Sequence, residues 1–140
     1  MSECIFCKIV DGTIPARKVF ETDQILAILD INPVAPGHTL VMPKGHYEKA
    51  SDLPEDLMLE FFARVLEVAR GVVRGTASEG YNLLCNNHRS AGQAIPHVHF
   101  HVIPRKTGDS AGFKWTPGKY AEGELESWTV EIRKALGLGA

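Results

Sequence analysis

Long apolar runs are missing from this sequence of 140 residues. Nothing approaches the roughly eighteen consecutive apolar residues a membrane-spanning helix needs, so no membrane partner is expected. The opening MSECIFCKIVDG has neither the basic start nor the long apolar centre of a secretion signal, which points to the cytoplasm. Surplus positive charge is missing too: 15 Lys+Arg against 17 Asp+Glu leave a formal charge of -2, which argues against a polynucleotide partner held through its phosphates. Cysteine is scarce. Cys4, Cys7 and Cys85 are an odd set, unsuited to a disulfide scaffold and compatible with free thiols or a metal. No internal repeat, low-complexity tract or Pro/Gly/Ser-rich linker divides the chain. With 44% hydrophobic and 23% charged residues, 1–140 is expected to fold as one domain around a single core.

What is present alternates between strand and helix signals. Lys18 to Glu21 and Ile25 to Asp30 read as a hairpin around Thr22-Asp23, and His38 to Met42 as a third strand beyond the loop NPVAPG. From Leu57 to Val73, apolar residues recur at the three-and-four spacing of an amphipathic helix. Ser51 or Asp52 could cap it, Pro54 fits its first turn and Gly75 its end. Tyr81 to Cys85 and His97 to Ile103 read as two further strands, and Leu125, Trp128, Ile132 and Leu136 as a closing helix. Strands grouped around one long helix favour an α+β domain with a mostly antiparallel sheet.

The stretch IPHVHFHVIPR carries the chemistry. On a strand, His97, His99 and His101 share one face while Val98, Phe100 and Val102 face the core. Two-residue steps of about 6.6–6.8 Å put His97 and His101 on the order of 13 Å apart, too far to meet at one zinc. Three aligned imidazoles instead suit bond formation, hydrogen bonding and proton handling along an elongated anion.

The pattern HVHFHVI resembles the signature of the histidine triad nucleotide-binding proteins, the HIT family. LDINPVAPGHTLVMPKGH (29–46) and NNHRSAGQAIP (86–96) extend the likeness over nearly the whole chain, and CxxC at Cys4 and Cys7 with HVIPR after the triad resembles a bacterial branch. The resemblance implies a five-stranded HIT-like sheet with one long central helix and a C-terminal helix. It implies His99 as the nucleophile on the α-phosphorus of a nucleotide, forming a nucleotidyl-histidine that water hydrolyses. A histidine attacks through one nitrogen only if the other keeps its proton, so His99 needs an acceptor, usually a main-chain carbonyl in this family.

By the same resemblance His101 contacts the phosphate and the bridging atom, and His97 supports the site from its far end. Gly92 and the carboxamide of Gln93 approach the phosphate, Asn86 bonds phosphate or ribose, Asp30 accepts from the ribose hydroxyls, and Ile31, Ile5, Phe6, Ile9 and Ile28 offer a base pocket. At Ala94 family members often carry Ser or Thr, and alanine cannot assist the leaving group. The CxxC branch implies a structural zinc on Cys4, Cys7, His46 and His97, with four ligands and no open position. A reduced thiol pair packed as small apolar residues is the alternative. No organic cofactor is expected; a homodimer is. The implied activity is hydrolysis of the bond between a purine nucleoside 5′-phosphate and a phosphoramidate or dinucleoside polyphosphate leaving group. A zinc hydrolase in which His97 and His99 join Cys4 or Cys7 around an activated water, or a nucleotide-binding regulator with negligible turnover, are the alternatives. His38 reads as structural, His88, Arg89, Arg105 and Lys106 as loop charges or outer phosphate contacts, and Trp115 with TPGKY as the mouth of the site.

Overall fold

Five strands pair antiparallel in the order β1-β2-β3-β5-β4, with β1 at Lys18–Glu21, β2 at Ile25–Leu29, β3 at Thr39–Pro43, β4 at Gly80–Leu84 and β5 at Phe100–Arg105. A computed structural model describes residues 3–139; Met1, Ser2 and Ala140, the ends of the expected domain, lie outside the described residues. Strand alternation splits the interior into two layers. Ile25, Ala27, Val41, Val98 and Val102 meet Phe61, Val65, Val68 and Ala69 of the long helix α2, Glu55–Thr76. On the opposite face Leu26, Ile28, Leu40 and Met42 meet Phe6 and Ile9 of a short helix α1, Ile5–Val10, which the sequence pattern did not announce. Covered on both faces, β2 and β3 read as continuous apolar runs, ILAIL and TLVMP, rather than as alternation.

The boundaries of α2 differ from the expected ones for local reasons. Pro54 is its N-cap, Ser51 and Asp52 belong to a preceding 3-10 turn, and the helix runs through Gly75 to end at Ala77, held left-handed at φ 49°. The Phe61 ring packs edge-on against Phe100, centroids 5.7 Å apart, across the α2–sheet layer. Phe61→Ala is therefore expected to lower unfolding free energy by about 3–5 kcal/mol, read as a shift of the urea midpoint at unchanged slope.

The triad strand begins later than its alternation suggests. The register pairing Val41 with Phe100 would, two residues on, bring Pro43 opposite Val98, and Pro43 has no N–H to extend the ladder. Residues 97–99 instead lie outside the ladder, bent at His97, with Val98 N donating to Tyr47 O at 2.7 Å. At the end of β5, the Arg105 guanidinium grips Asp109 through Nε and Nη2 at 2.9 and 2.7 Å and reaches Asn82 Oδ1 at 2.7 Å. This pairing holds the Asp109 carboxyl well below the usual carboxylate range and makes Arg105 a pin for the following loop. The closing helix α3, Glu124–Ala135, forms where expected, but Leu125, Trp128 and Ile132 all lie on exposed surface.

Candidate active site and metal-ligand cluster

The histidine row lies on the α1 face of the sheet. Leu40 and Leu84 flank His101 in the ladder, and the edge-on ring of Phe6 meets His99 at 4.9 Å and His97 at 5.8 Å. Alternation thus sends Val98 and Val102 into the α2 core and turns the imidazoles toward α1.

Each imidazole has a distinct set of partners. His99 Nδ1 lies 2.7 Å from the carbonyl of His97. A carbonyl only accepts, so Nδ1 carries the proton and Nε2 keeps its lone pair. Burial pushes the His99 imidazole below the ordinary histidine range, outweighing the opposing pull of that carbonyl, so the ring is neutral at neutral pH. His97 is fully enclosed, with Nε2 donating to Pro43 O at 2.8 Å and Nδ1 facing Cys4 and Cys7. His101 Nδ1 lies 2.9 Å from Nε2 of His38, which in turn stands 3.6 Å from Asp30 Oδ2. Burial also lowers His101 and His38, His38 adding to the effect on His101 and Asp30 opposing it on both. His38, expected to be structural, is buried and accepts from the Val34 amide, and it also lines the cleft and touches the triad. Its link to His101 depends on the β3–β5 register, which no local pattern contains.

A cleft of about 570 Å³ opens in front of His99 and His101, within the size range of small-molecule sites. Asp30, Asn86, Gly92, Gln93 and Ala94 line it, as do the expected apolar residues Ile5, Phe6, Ile9, Ile28 and Ile31. Ile31 is 90% exposed and forms its rim. Ile14, Pro15, Val34, Ile95 and Phe113 also line the wall and were not foreseen. Trp115 does not line the cleft and is 82% exposed; Phe113 takes the place expected for it. Asp30 Oδ1 accepts from Asn32 N at 2.8 Å, an anchoring that turns the carboxylate at the β2 end.

The loop from Asn86 to Pro96 is built around Gln93. Its Oε1 accepts from His88 N at 2.7 Å, its N donates to His88 O at 3.2 Å, and its Nε2 donates to Glu48 O at 2.6 Å. These bonds clamp His88 at φ 80°, ψ 154°, a conformation that costs on the order of 1–3 kcal/mol in a residue other than glycine. That last bond uses one of the two N–H groups of Gln93 Nε2. Gly92 sits at φ +89°, where a side chain is strained, so the turn itself requires glycine. Asn86 Nδ2 donates to Gly92 O at 3.3 Å and braces that turn.

Behind the row, Cys4, Cys7, His46 and His97 bring four ligand atoms within 4.8 Å of one another. Cys4 Sγ and Cys7 Sγ lie 3.5 and 3.6 Å from His97 Nδ1, and Cys7 Sγ lies 3.4 Å from His46 Nδ1. Tetrahedral zinc, with bonds of about 2.3 Å to sulfur and 2.0–2.1 Å to nitrogen, requires S···N edges of about 3.5 Å. The donor set therefore fits zinc in size as well as chemistry. The Pro43 carbonyl, by accepting from Nε2–H, keeps the proton on that nitrogen and leaves Nδ1 of His97 as the lone-pair nitrogen a metal needs.

Comparison with known proteins agrees with this arrangement. The sequence profile described as the HIT domain matches residues 11–108. An adenosine 5′-monophosphoramidase of Schizosaccharomyces pombe is 41% identical over 134 residues, covering 95% of this chain and 98% of that protein. A crystal structure from Streptococcus mutans superposes with a TM-score of 0.90 at 36% identity, covering 97% of this chain and 87% of the other. A zinc-bound histidine triad family protein of Mycobacterium smegmatis superposes with a TM-score of 0.75 at 35% identity, covering 95% and 97%.

Proposed function

The chain belongs to the HIT domain family, and from that premise we propose that it hydrolyses the bond between a purine nucleoside 5′-phosphate and its leaving group, releasing the nucleoside monophosphate. The observation that carries this reading is the 2.7 Å bond from His99 Nδ1 to the His97 carbonyl, which leaves the Nε2 lone pair for the cleft.

In the first step Nε2 attacks the α-phosphorus, an N–P bond forms, and the bond to the leaving group breaks with the electron pair departing on that group. Water then attacks the same phosphorus, the N–P bond breaks, and the monophosphate leaves with His99 restored. Dividing one displacement into two gives each a better nucleophile or leaving group than direct hydrolysis has. Charge growing on the phosphate oxygens meets donors from His101, the 88–94 loop and the remaining N–H of Gln93. His97 acts at a distance, its carbonyl orienting His99 and its ring joining Cys4, Cys7 and His46 at a structural zinc. Bound there, the metal ties α1 to the triad segment and supplies no chemistry to the substrate. The same reading makes the molecule a one-domain cytoplasmic homodimer acting on small nucleotides, with β1 and β4 as the two edges of its sheet.

A panel of nucleoside phosphoramidates, dinucleoside polyphosphates and nucleotidyl sugars, assayed by chromatography for monophosphate release, tests the activity. Release from at least one class is expected, with phosphoramidates first by likeness to the S. pombe relative; tight binding without release from any would leave a regulator instead. Asp30→Asn replaces a two-oxygen acceptor by a single one where the ribose hydroxyls are placed. It should raise KM for ribonucleotides about tenfold and abolish discrimination against 2′,3′-dideoxy substrates, the worth of one charged hydrogen bond. Unchanged KM and discrimination in steady-state kinetics would remove Asp30 from the ribose site.

A further inference from the structure

We propose that His38 is a positioning residue that fixes which ring nitrogen of His101 carries the proton, so that His101 presents an N–H to the cleft while its neighbour His99 presents a lone pair. The role given to His101 toward phosphate rests on the function proposed above; the proton placement does not.

The inference starts from a group with only one option. The backbone N–H of Val34 can donate but never accept, and it lies 3.0 Å from His38 Nδ1. His38 Nδ1 is therefore the lone-pair nitrogen, and the proton of this 3%-exposed ring sits on Nε2. Nε2 is 2.9 Å from His101 Nδ1, which must accept. A neutral His101 that accepts at Nδ1 holds its proton at Nε2, the far end of the ring. His99 is assigned by the same logic to the opposite form, since its Nδ1 donates to the His97 carbonyl. Two imidazoles with centroids 5.0 Å apart thus expose opposite functions, an acceptor that attacks and a donor that steadies developing negative charge.

The reverse assignment is unfavourable on geometry. If His101 Nδ1 donated, His38 would have to carry its proton on Nδ1, setting two N–H groups against each other at the Val34 contact. The Asp30 carboxylate, 3.6 Å from His38 Nε2, also favours the proton on that nitrogen. The turn that holds the Val34 amide is itself constrained: Pro33 and Pro36 flank it, and Gly37 sits at φ +94°, where an added Cβ would come within 2.4 Å of Thr76 Cγ2. The chain Val34–His38–His101 therefore carries directionality from a rigid backbone amide into the cleft.

Long-range ¹H–¹⁵N spectra of ¹⁵N-histidine-labelled, zinc-loaded protein at neutral pH read each proton directly. The expected result is His101 protonated at Nε2 and His99 at Nδ1. His38→Ala should return His101 to a mixture of forms and lower kcat roughly tenfold or more with little change in KM. His38→Gln, whose carboxamide N–H reaches toward the same place, should restore the Nε2–H form and most of the rate. A wild-type His101 protonated at Nδ1, or a His101 signal unmoved by His38→Ala, overturns the proposal; the wild-type spectrum decides it even where the variants fail to fold. The expected proton placement in a protein that turns over no nucleotide would sustain this inference and sink the proposed function instead.

Discussion

Replacing His99 by Asn is expected to lower turnover by on the order of 10⁴-fold or more, while nucleotide affinity changes only a few-fold. The carboxamide of Asn can keep a bond to the His97 carbonyl, but its nitrogen has no lone pair to offer phosphorus, and no second imidazole stands in the same relation to the cleft. His97 has both ring nitrogens directed away from it, toward Pro43 O and the cysteines. His101 is engaged through Nδ1 by His38. The measurement is a single-turnover experiment with a slowly hydrolysed nucleotide: wild type quenched in alkaline denaturant, which spares the acid-labile N–P bond, should carry a nucleotidyl adduct detected by intact mass, and the variant none. An adduct on another residue, or turnover within tenfold of wild type, defeats the assignment. Because His99 is 7% exposed and packs on the edge of Phe6, thermal melting of the variant belongs beside the kinetics.

Removing the metal has the second largest expected effect, and it falls on stability rather than on chemistry. Protein prepared with zinc should contain one equivalent per chain, and Cys4→Ser with Cys7→Ser should contain none. At free zinc a thousandfold above its dissociation constant, the ion contributes about 4 kcal/mol to the folded state, which for a chain of this size corresponds to a Tm fall on the order of 10 °C when it is lost. The cause is topological. Cys4 and Cys7 lie on α1 and its N-cap, His46 follows β3, and His97 precedes β5, so one ion ties together three segments that share few other covalent constraints. At a temperature where the metal-free protein stays folded, kcat should remain within about tenfold, since the His99 acceptor is a backbone carbonyl. Loss of all activity with retained fold would favour a catalytic zinc; calorimetry and metal analysis on the same sample distinguish the cases.

Which side chains share a face was legible without a structure. The alternation of HVHFHV placed the imidazoles opposite Val98 and Val102, and the spacing from Leu57 to Val73 marked the helix that covers the valines. The ends of elements were less legible because they depend on partners. The triad strand starts at Phe100 because Pro43, two residues beyond the last paired position Val41, has no N–H for the ladder, a fact about β3 rather than about the triad. Gln93 reads from sequence as a phosphate donor, but in three dimensions it also closes a loop onto Glu48, forty-five residues away.

The residue order alone determined the chemistry on offer, because side-chain alternation along a strand is a property of the backbone and needs no tertiary information. It could not determine proton placement. Whether an imidazole acts as nucleophile, donor or ligand depends on which carbonyl, amide or thiol meets its other nitrogen. Those partners, Pro43 for His97, the bent 97–99 segment for His99, and His38 with the Val34 amide for His101, are brought together only when β3 and β5 lie side by side.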